Sequence, residues 1–289
     1  NFFCIYQKKI VLLHAFMMKK EYLYRARTCL KHRLSAWNTG GEGVHSPYLF
    51  EWVRMVMSDS HAYYIWNNIE TVRKNLLSDV AQIEFVDYGS GGSRDGEVSY
   101  RRICDIAKHS LKEKKYAQMM FRLVNWLGHQ LREDERGLRV VELGTSLGIT
   151  TAYLAGADRR DIVYTYEGCK AVAEKAKENW NALGMNNIEC RVGRIDIESL
   201  ERELSDLDLA FIDANHTYEA TMAYFDVLAN KFHEKSVLVI DDIHHSKEME
   251  RAWKNICADE RVTSTIDLYQ MGLVFFDKHY WKRNYRMRL

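Results

Sequence analysis

The chain has 289 residues, of which 47% are hydrophobic and 28% charged, with a net charge of +1. This is the composition of a globular protein with a sizeable core, and it excludes a global electrostatic field aimed at nucleic acid. Charge is instead local: residues 1–36 hold eight Lys/Arg and one acid, Glu21, and the last twelve residues hold five Lys/Arg and no acid.

The opening segment has an apolar-rich run from Ile10 to Met18, too short to span a bilayer. Lys19 and Lys20 follow without a small-residue cleavage site, so no signal peptide is expected, and Met17 or Met18 is read as a natural start. Leu23, Leu30 and Leu34 are expected to line one face of a basic helix. "NTGGEGVHSPYLF" (38–50) then breaks the pattern, with Pro47 placed to open the next helix and its aromatics placed for the core. His45 and Tyr48 in this stretch are alternative substrate contacts. Residues 48–80 read as helix. "FVDYGSGGSRDGE" (85–97) reads as a plain loop or a lid, and residues 98–133 as helix again.

From Arg139 the texture changes. Strands are expected at 139–143, 162–167, 187–193, 207–213 and 236–242, with helices between them, and a hairpin at 263–276 closes the chain. Such alternation predicts an α/β fold with a Rossmann-like, mainly parallel sheet of seven strands and helices on both faces. The boundary is set near residue 135. Residues 1–134 are read as an N-terminal helical cap, and 135–289 as the ligand-binding domain. The six cysteines are scattered, with no CxxC pair, as in a reduced cytoplasmic protein.

"VVELGTSLGITTAYLA" (140–155) has the order strand, glycine loop, helix. Gly144 and Gly148 let the backbone turn and approach a ligand at the helix N-terminus. A dinucleotide fingerprint would place glycine where Ser146 stands. Thr145 and Ser146 therefore point to a ligand without a diphosphate, and a nicotinamide oxidoreductase is disfavoured. Glu167 ends the next strand, where an acid holds ribose hydroxyls or simply faces solvent. "VGRID" (192–196), with Gly193 and Arg194, follows the third strand at the place for an adenine ring.

These segments, together with "DLAFIDANHTYEA" and "VLVIDDIH", resemble the class I S-adenosylmethionine-dependent methyltransferases over roughly residues 138–276. The resemblance is narrower to the O-methyltransferase group that includes catechol, caffeoyl-CoA and macrolide-sugar enzymes. It implies S-adenosyl-L-methionine as cofactor, with Glu142 and Gly144 at its methionine part and Glu167 at its ribose.

Asp213 ends one predicted strand, and Asp241 and Asp242 end the next. Strands about 5 Å apart bring these carboxylates together, and their repulsion must be relieved by protonation, by a lysine or arginine, or by a divalent cation. The metal-dependent members of the family hold Mg²⁺ at the matching positions, so the resemblance implies Asp213, Asp241 and Asp242 as metal ligands. Asp242 matches the sugar-methylating branch, which leans away from catechols. His216, three residues past Asp213, is the candidate general base, with Asp213 beside it. A metal-free enzyme whose aspartates bind the substrate directly is the alternative. His244 and His245 either line the pocket, cap the helix after them, or face solvent.

The functional expectation is metal-assisted O-methylation of a small hydroxylated molecule, sugar-like or another natural product. The alternatives are a metal-free RNA or protein methyltransferase, suggested by the basic ends, and a cofactor-binding protein without catalysis. Nucleic acid and membrane surfaces are not the expected partners, and a homodimer is compatible with the sequence.

Overall fold

The structure, a computed structural model, describes residues 23–36, 46–86, 88, 98–131, 136–278 and 282–289. The run from Ile10 to Met18, His45 and most of the 85–97 loop lie outside the described residues.

The N-terminal elements are helical except for one hairpin. They run α1 (described over 23–35), α2 (Pro47–Trp52), a π-helical turn (Val53–Met57) and α3 (Tyr64–Ser78). Then come β1 (Gln82–Val86), β2 (Val98–Arg102), α4 (Ile103–Ser110) and α5 (Lys114–Leu131). Pro47 does open α2, with the Ser46 hydroxyl accepting from the Leu49 N–H as N-cap. The expectation of continuous helix over 98–133 is corrected by β2, which pairs antiparallel with β1 across the glycine-rich segment.

The second half carries the main sheet: β3 (Arg139–Leu143), α6 (Ile149–Ala155), β4 (Ile162–Glu167), α7 (Lys170–Ala182), β5 (Ile188–Val192) and α8 (Ile197–Glu203). It continues with β6 (Leu207–Ile212), α9 (Tyr218–Ala229), β7 (Phe232–Asp241), α10 (Lys247–Ala258), β8 (Ser264–Asp267), β9 (Met271–Phe275) and β10 (Arg283–Arg286). Strand order is β10-β8-β9-β7-β6-β3-β4-β5, with β9 antiparallel to both its neighbours. The sheet has eight strands where seven were expected. The additional one comes from the basic C-terminal segment, which lies parallel to β8. Tyr285 and Met287 are buried there, so this segment packs where a solvated tail was expected.

Alternation along each strand sends neighbouring side chains to opposite faces. Val140, Leu209, Phe211, Val237 and Leu273 face α2 and α5, packing on Trp52, Met120, Leu123 and Leu127. Val141, Ala210, Ile212 and Ile240 face α9 and α10, packing on Phe225, Met249 and Trp253. The helices read as a cap thus supply part of one covering layer of the sheet, beside Leu154 and Ala155 of α6. A third cluster joins α3, α4 and α5 to α6 and α7 through Trp66, Phe121, Tyr153 and Trp180. Each fully buried side chain of this kind contributes about 1.5–3 kcal/mol. Tyr48 packs on Trp126 with centroids 4.9 Å apart, which is a core role.

α1 docks by a face other than the one expected. Leu23, Leu30 and Leu34 are exposed, and Tyr24, Thr28 and His32 turn inward instead. The Tyr24 hydroxyl donates to Glu250, Thr28 Oγ1 meets Tyr269 Oη at 3.2 Å, and His32 Nε2 lies 3.1 Å from Asp267 Oδ1. Polar partners on β8, α10 and the β8–β9 turn select this face, and leucine spacing alone carries no trace of them.

Candidate active site

The chain leaves β3 for β4 and β5 on one side, then returns to β6 and β7 on the other. The crevice beyond the carboxyl ends of β3 and β6 is the ligand-binding position of an open α/β sheet. A cavity of about 440 Å³ lies there. Gly144, Ser146, Glu167, Arg194, Asp213 and His216 are among its lining residues.

Gly144 and Gly148 shape the loop. Gly144 has φ +101°, and a Cβ on it would lie 2.1 Å from the Asp213 carbonyl oxygen. The loops after β3 and β6 approach this closely because residue 144 has no side chain. Gly148 has φ +75° and abuts the Trp180 indole. Ser146 is held at φ +48°. Its backbone N–H donates to Glu167 Oε2 at 2.8 Å, and the Cys169 N–H donates to Glu167 Oε1 at 2.9 Å. Burial raises the Glu167 carboxyl, and these backbone donors only partly offset that. Glu167 thus clamps the glycine loop to the end of β4 while facing the cavity.

Glu142 does not line the cavity. It is fully buried one layer below, where its Oε2 accepts from Thr151 and from Thr165 Oγ1, the latter at 2.7 Å. Thr165 Oγ1 is 2.6 Å from Thr145 Oγ1, which links Glu142 to the loop through two hydroxyls. Burial pushes the Glu142 carboxyl up to about 8, so it is protonated at neutral pH. The hydroxyl network and full burial explain why a residue expected at the methionine part lies behind the loop. Thr145 is likewise buried, and neither Gly148 nor Gly193 lines the cavity.

The three carboxylates do not converge as one triad. Asp213 and Asp241 come together with His216, their ligand atoms all within 4.8 Å of one another. Asp242 has φ +53° and lies outside that three-residue group, its Oδ2 3.4 Å from His245 Nδ1. Burial works against the Asp242 charge, but the His245 contact and the Lys112 charge outweigh it and hold the carboxyl at about 2. Asp241 is buried, with Oδ1 left without a partner. Burial and the neighbouring Asp213 raise the Asp241 pKa, and the Lys112 ammonium works the other way, favouring the charged form.

The compensating charge is Lys112, in the loop between α4 and α5. Its Nζ lies 3.3 Å from Asp213 Oδ2 and pairs with Asp241 Oδ2. Burial opposes its charge, but the aspartates prevail and raise its pKa. Nothing in "SLKEKKYA" distinguishes this lysine from its neighbours. A lysine was among the ways of relieving the repulsion, but its position follows only from the tertiary fold.

His216 Nε2 is 3.5 Å from Asp213 Oδ1, and its ring stacks with His245 at 6.1 Å. Burial lowers the His216 pKa, so the imidazole is neutral at neutral pH. His245 does not cap α10; it is exposed, as one of the alternatives had it, and is held by side-chain contacts. Arg25 reaches its Nε2 at 2.7 Å, and Ser246 is the cap. His244 pairs with Asp267 at 2.9 Å on the side of α1, away from the cavity. Part of the remaining wall comes from α4, whose Asp105, His109 and Ser110 line the cavity, and part from Phe85, Val86 and Arg101 of the β1–β2 pair and from Tyr88. The Ser110 hydroxyl accepts from Ser146 Oγ at 2.7 Å. No cofactor-loop pattern marks the α4 residues in the sequence.

Residues 141–243 match the family described as a methyltransferase domain. No curated protein matches the chain in sequence. Among solved structures, the O-methyltransferase from Bacillus cereus in complex with SAH superposes with a TM-score of 0.51 at 16% identity, over 77% of this chain and 95% of that one. The SAH-bound methyltransferase PaMTH1 of Podospora anserina gives 0.53 at 9% identity, over 81% and 97%. The cofactor-bound Rv0187 from MTB gives 0.50 at 21% identity, over 58% and 82%. These likenesses are likenesses of fold. The family match covers residues 141–243, the β3–β7 region that carries the glycine loop, Asp213 and Asp241.

Proposed function

We propose that the chain is an O-methyltransferase acting on the hydroxyl of a small molecule, sugar-like or another natural product. The carrying observation is His216 3.5 Å from Asp213, both lining the cavity formed by the glycine loop. S-adenosylmethionine supplies an electrophilic methyl group on a sulfonium. Its adenosine part is assigned to the Glu167 and Arg194 side, and its methionine part to Gly144. The acceptor hydroxyl gives its proton to His216, and its oxygen forms the new bond to the methyl carbon as the carbon–sulfur bond breaks. Asp213, 3.5 Å away, stabilises the imidazolium that results. Alignment supplies most of the remaining acceleration.

A divalent cation is the finer element of this reading. Asp213, Asp241 and His216 supply donor atoms close enough for one. However, Oδ2 of both Asp213 and Asp241 already faces the Lys112 ammonium, and Asp242 contacts His245. The residues therefore do not fit the metal as arranged, and no step is routed through it. Nucleic acid is disfavoured as the acceptor, because part of the basic C-terminal segment is an edge strand with buried Tyr285. The five described cysteines are free thiols, which supports a cytoplasmic location. Among the described residues no helix is long and apolar enough to cross a membrane.

The test is incubation with methyl-labelled S-adenosylmethionine and a panel of sugars, phenols and other hydroxylated acceptors, read by mass spectrometry. Label in an O-methyl product, lost in His216→Ala, supports the reading. Label found only in RNA or protein would replace it.

A further inference from the structure

We propose that Lys112 is the resident cation of the acidic cluster, standing where a divalent metal would stand, so that methyl transfer here runs without one. The proposal rests on the methyltransferase reading for its function, but not for its geometry.

Lys112 Nζ is 3.3 Å from Asp213 Oδ2 and hydrogen bonds to Asp241 Oδ2. A hard divalent cation binds carboxylate oxygens at about 2.0–2.6 Å. A cation bridging Asp213 and Asp241 would therefore have to displace the ammonium from the two Oδ2 atoms, or bind Oδ1 beside it against its charge. The third expected ligand is spoken for as well, since Asp242 turns its carboxylate to His245.

Lys112 is not a surface lysine that has drifted inward. Its carbonyl oxygen accepts from Arg73 Nη1 at 2.8 Å. Arg73 Nε in turn donates to Glu70 Oε1 at 2.9 Å, and the Tyr153 hydroxyl donates to the same oxygen at 2.7 Å. On the other side, Glu113 Oε1 accepts from Gln270 Nε2 at 3.0 Å, and the Gln270 carbonyl accepts from the Asp242 N–H at 2.6 Å. The loop carrying Lys112 is thus tied both to α3 and to the β8–β9 turn beside the aspartates. An ammonium carried by a loop held this way and paired with two aspartates is a resident point charge. Lys112 is a positioning residue. It acts through Asp213, which lines the cavity and faces His216.

The experiment is a Mn²⁺ titration read by electron paramagnetic resonance on wild type, Lys112→Met and Lys112→Arg. Calorimetry of S-adenosylhomocysteine binding in excess chelator runs alongside. Wild type and Lys112→Arg are expected to lack a specific Mn²⁺ site. Lys112→Met is expected to gain one, with affinity raised at least about tenfold, since two carboxylates and an imidazole then lack their cation. A stoichiometric, tight Mn²⁺ site in wild type would overturn the proposal, and so would a folded Lys112→Met that gains nothing. If circular dichroism shows Lys112→Met unfolded, wild type and Lys112→Arg still decide, because a tight site in either refutes a resident lysine. Failure of S-adenosylhomocysteine to bind would count against the methyltransferase reading alone and leave the Mn²⁺ result to judge Lys112.

Discussion

Lys112 and Asp241 form an ion pair across 129 residues of sequence, with the Asp241 side chain 1% exposed and the lysine side chain 14% exposed. The pair joins the loop after α4 to the end of β7, beside Asp213, which lines the cavity.

Removing one member of a buried pair leaves the other uncompensated, at a cost of about 3–5 kcal/mol. Lys112→Met is expected to lose stability on that scale in urea unfolding. Adding Asp241→Asn should restore much of the loss, because the neutral amide needs no cation. Strictly additive effects of the two changes would contradict the pairing.

His216 acts as a base only when neutral. Burial holds its pKa below the ordinary value of about 6.5, so activity should fall as pH drops through a value lower than that. The acid limb of kcat/KM against pH reports it. Replacement by Ala should lower kcat by about 10²–10⁴-fold and flatten that limb. An acid limb retained in His216→Ala would assign the proton to another group.

Glu142 gives a stability prediction with a definite sign. Its folded pKa, about 8, lies above the unfolded value of about 4.3. Its contribution is therefore fully present below about 4.3 and is lost as pH rises through about 8. Wild type should weaken between about pH 4.3 and about pH 8, and Glu142→Gln should show a flatter dependence in urea midpoints. Equal slopes in the two proteins would mean that the Glu142 carboxyl is ionised in the fold.

Asp267 runs the other way. Burial opposes its charge, but His244, His32 and the Tyr269 N–H hold its carboxyl far below the usual range. The stability it contributes is present above the unfolded value of about 3.9 and is lost as pH falls through the depressed one. Asp267→Asn should loosen α1, which His32 ties to β8, and raise amide hydrogen exchange over residues 23–35. Unchanged exchange there would remove Asp267 from that role.

Much of the fold was legible because strands buried on both faces read as apolar runs separated by amphipathic helices. "VVELG", "YTYEG", "AFIDA" and "VIDD" each mark a strand end, and the backbone geometry of a parallel sheet brings such ends to one side. Positions that depend on partners far away in sequence were not legible. Asp242 was grouped with Asp241 by adjacency, yet a left-handed backbone turns it towards His245. Glu142 has the alternation of an inward-facing residue, but only Thr151 and Thr165 show that it stops short of the cavity. Lys112 and Ser110 carry no local signature, because their roles arise where α4 and α5 pack against the sheet. β10 was hidden by its charge, since an edge strand tolerates the Lys and Arg that also mark solvated tails.

The most direct measurement is calorimetric titration of S-adenosylmethionine into wild type and Gly144→Ala, both in excess chelator. Wild type is expected to bind at one site per chain, with no gain when Mg²⁺ replaces the chelator. Gly144→Ala should lose that binding, because its Cβ would strike the Asp213 carbonyl. Absence of binding in wild type, or binding that appears only with Mg²⁺, would contradict a cofactor site organised by this loop and neutralised by Lys112.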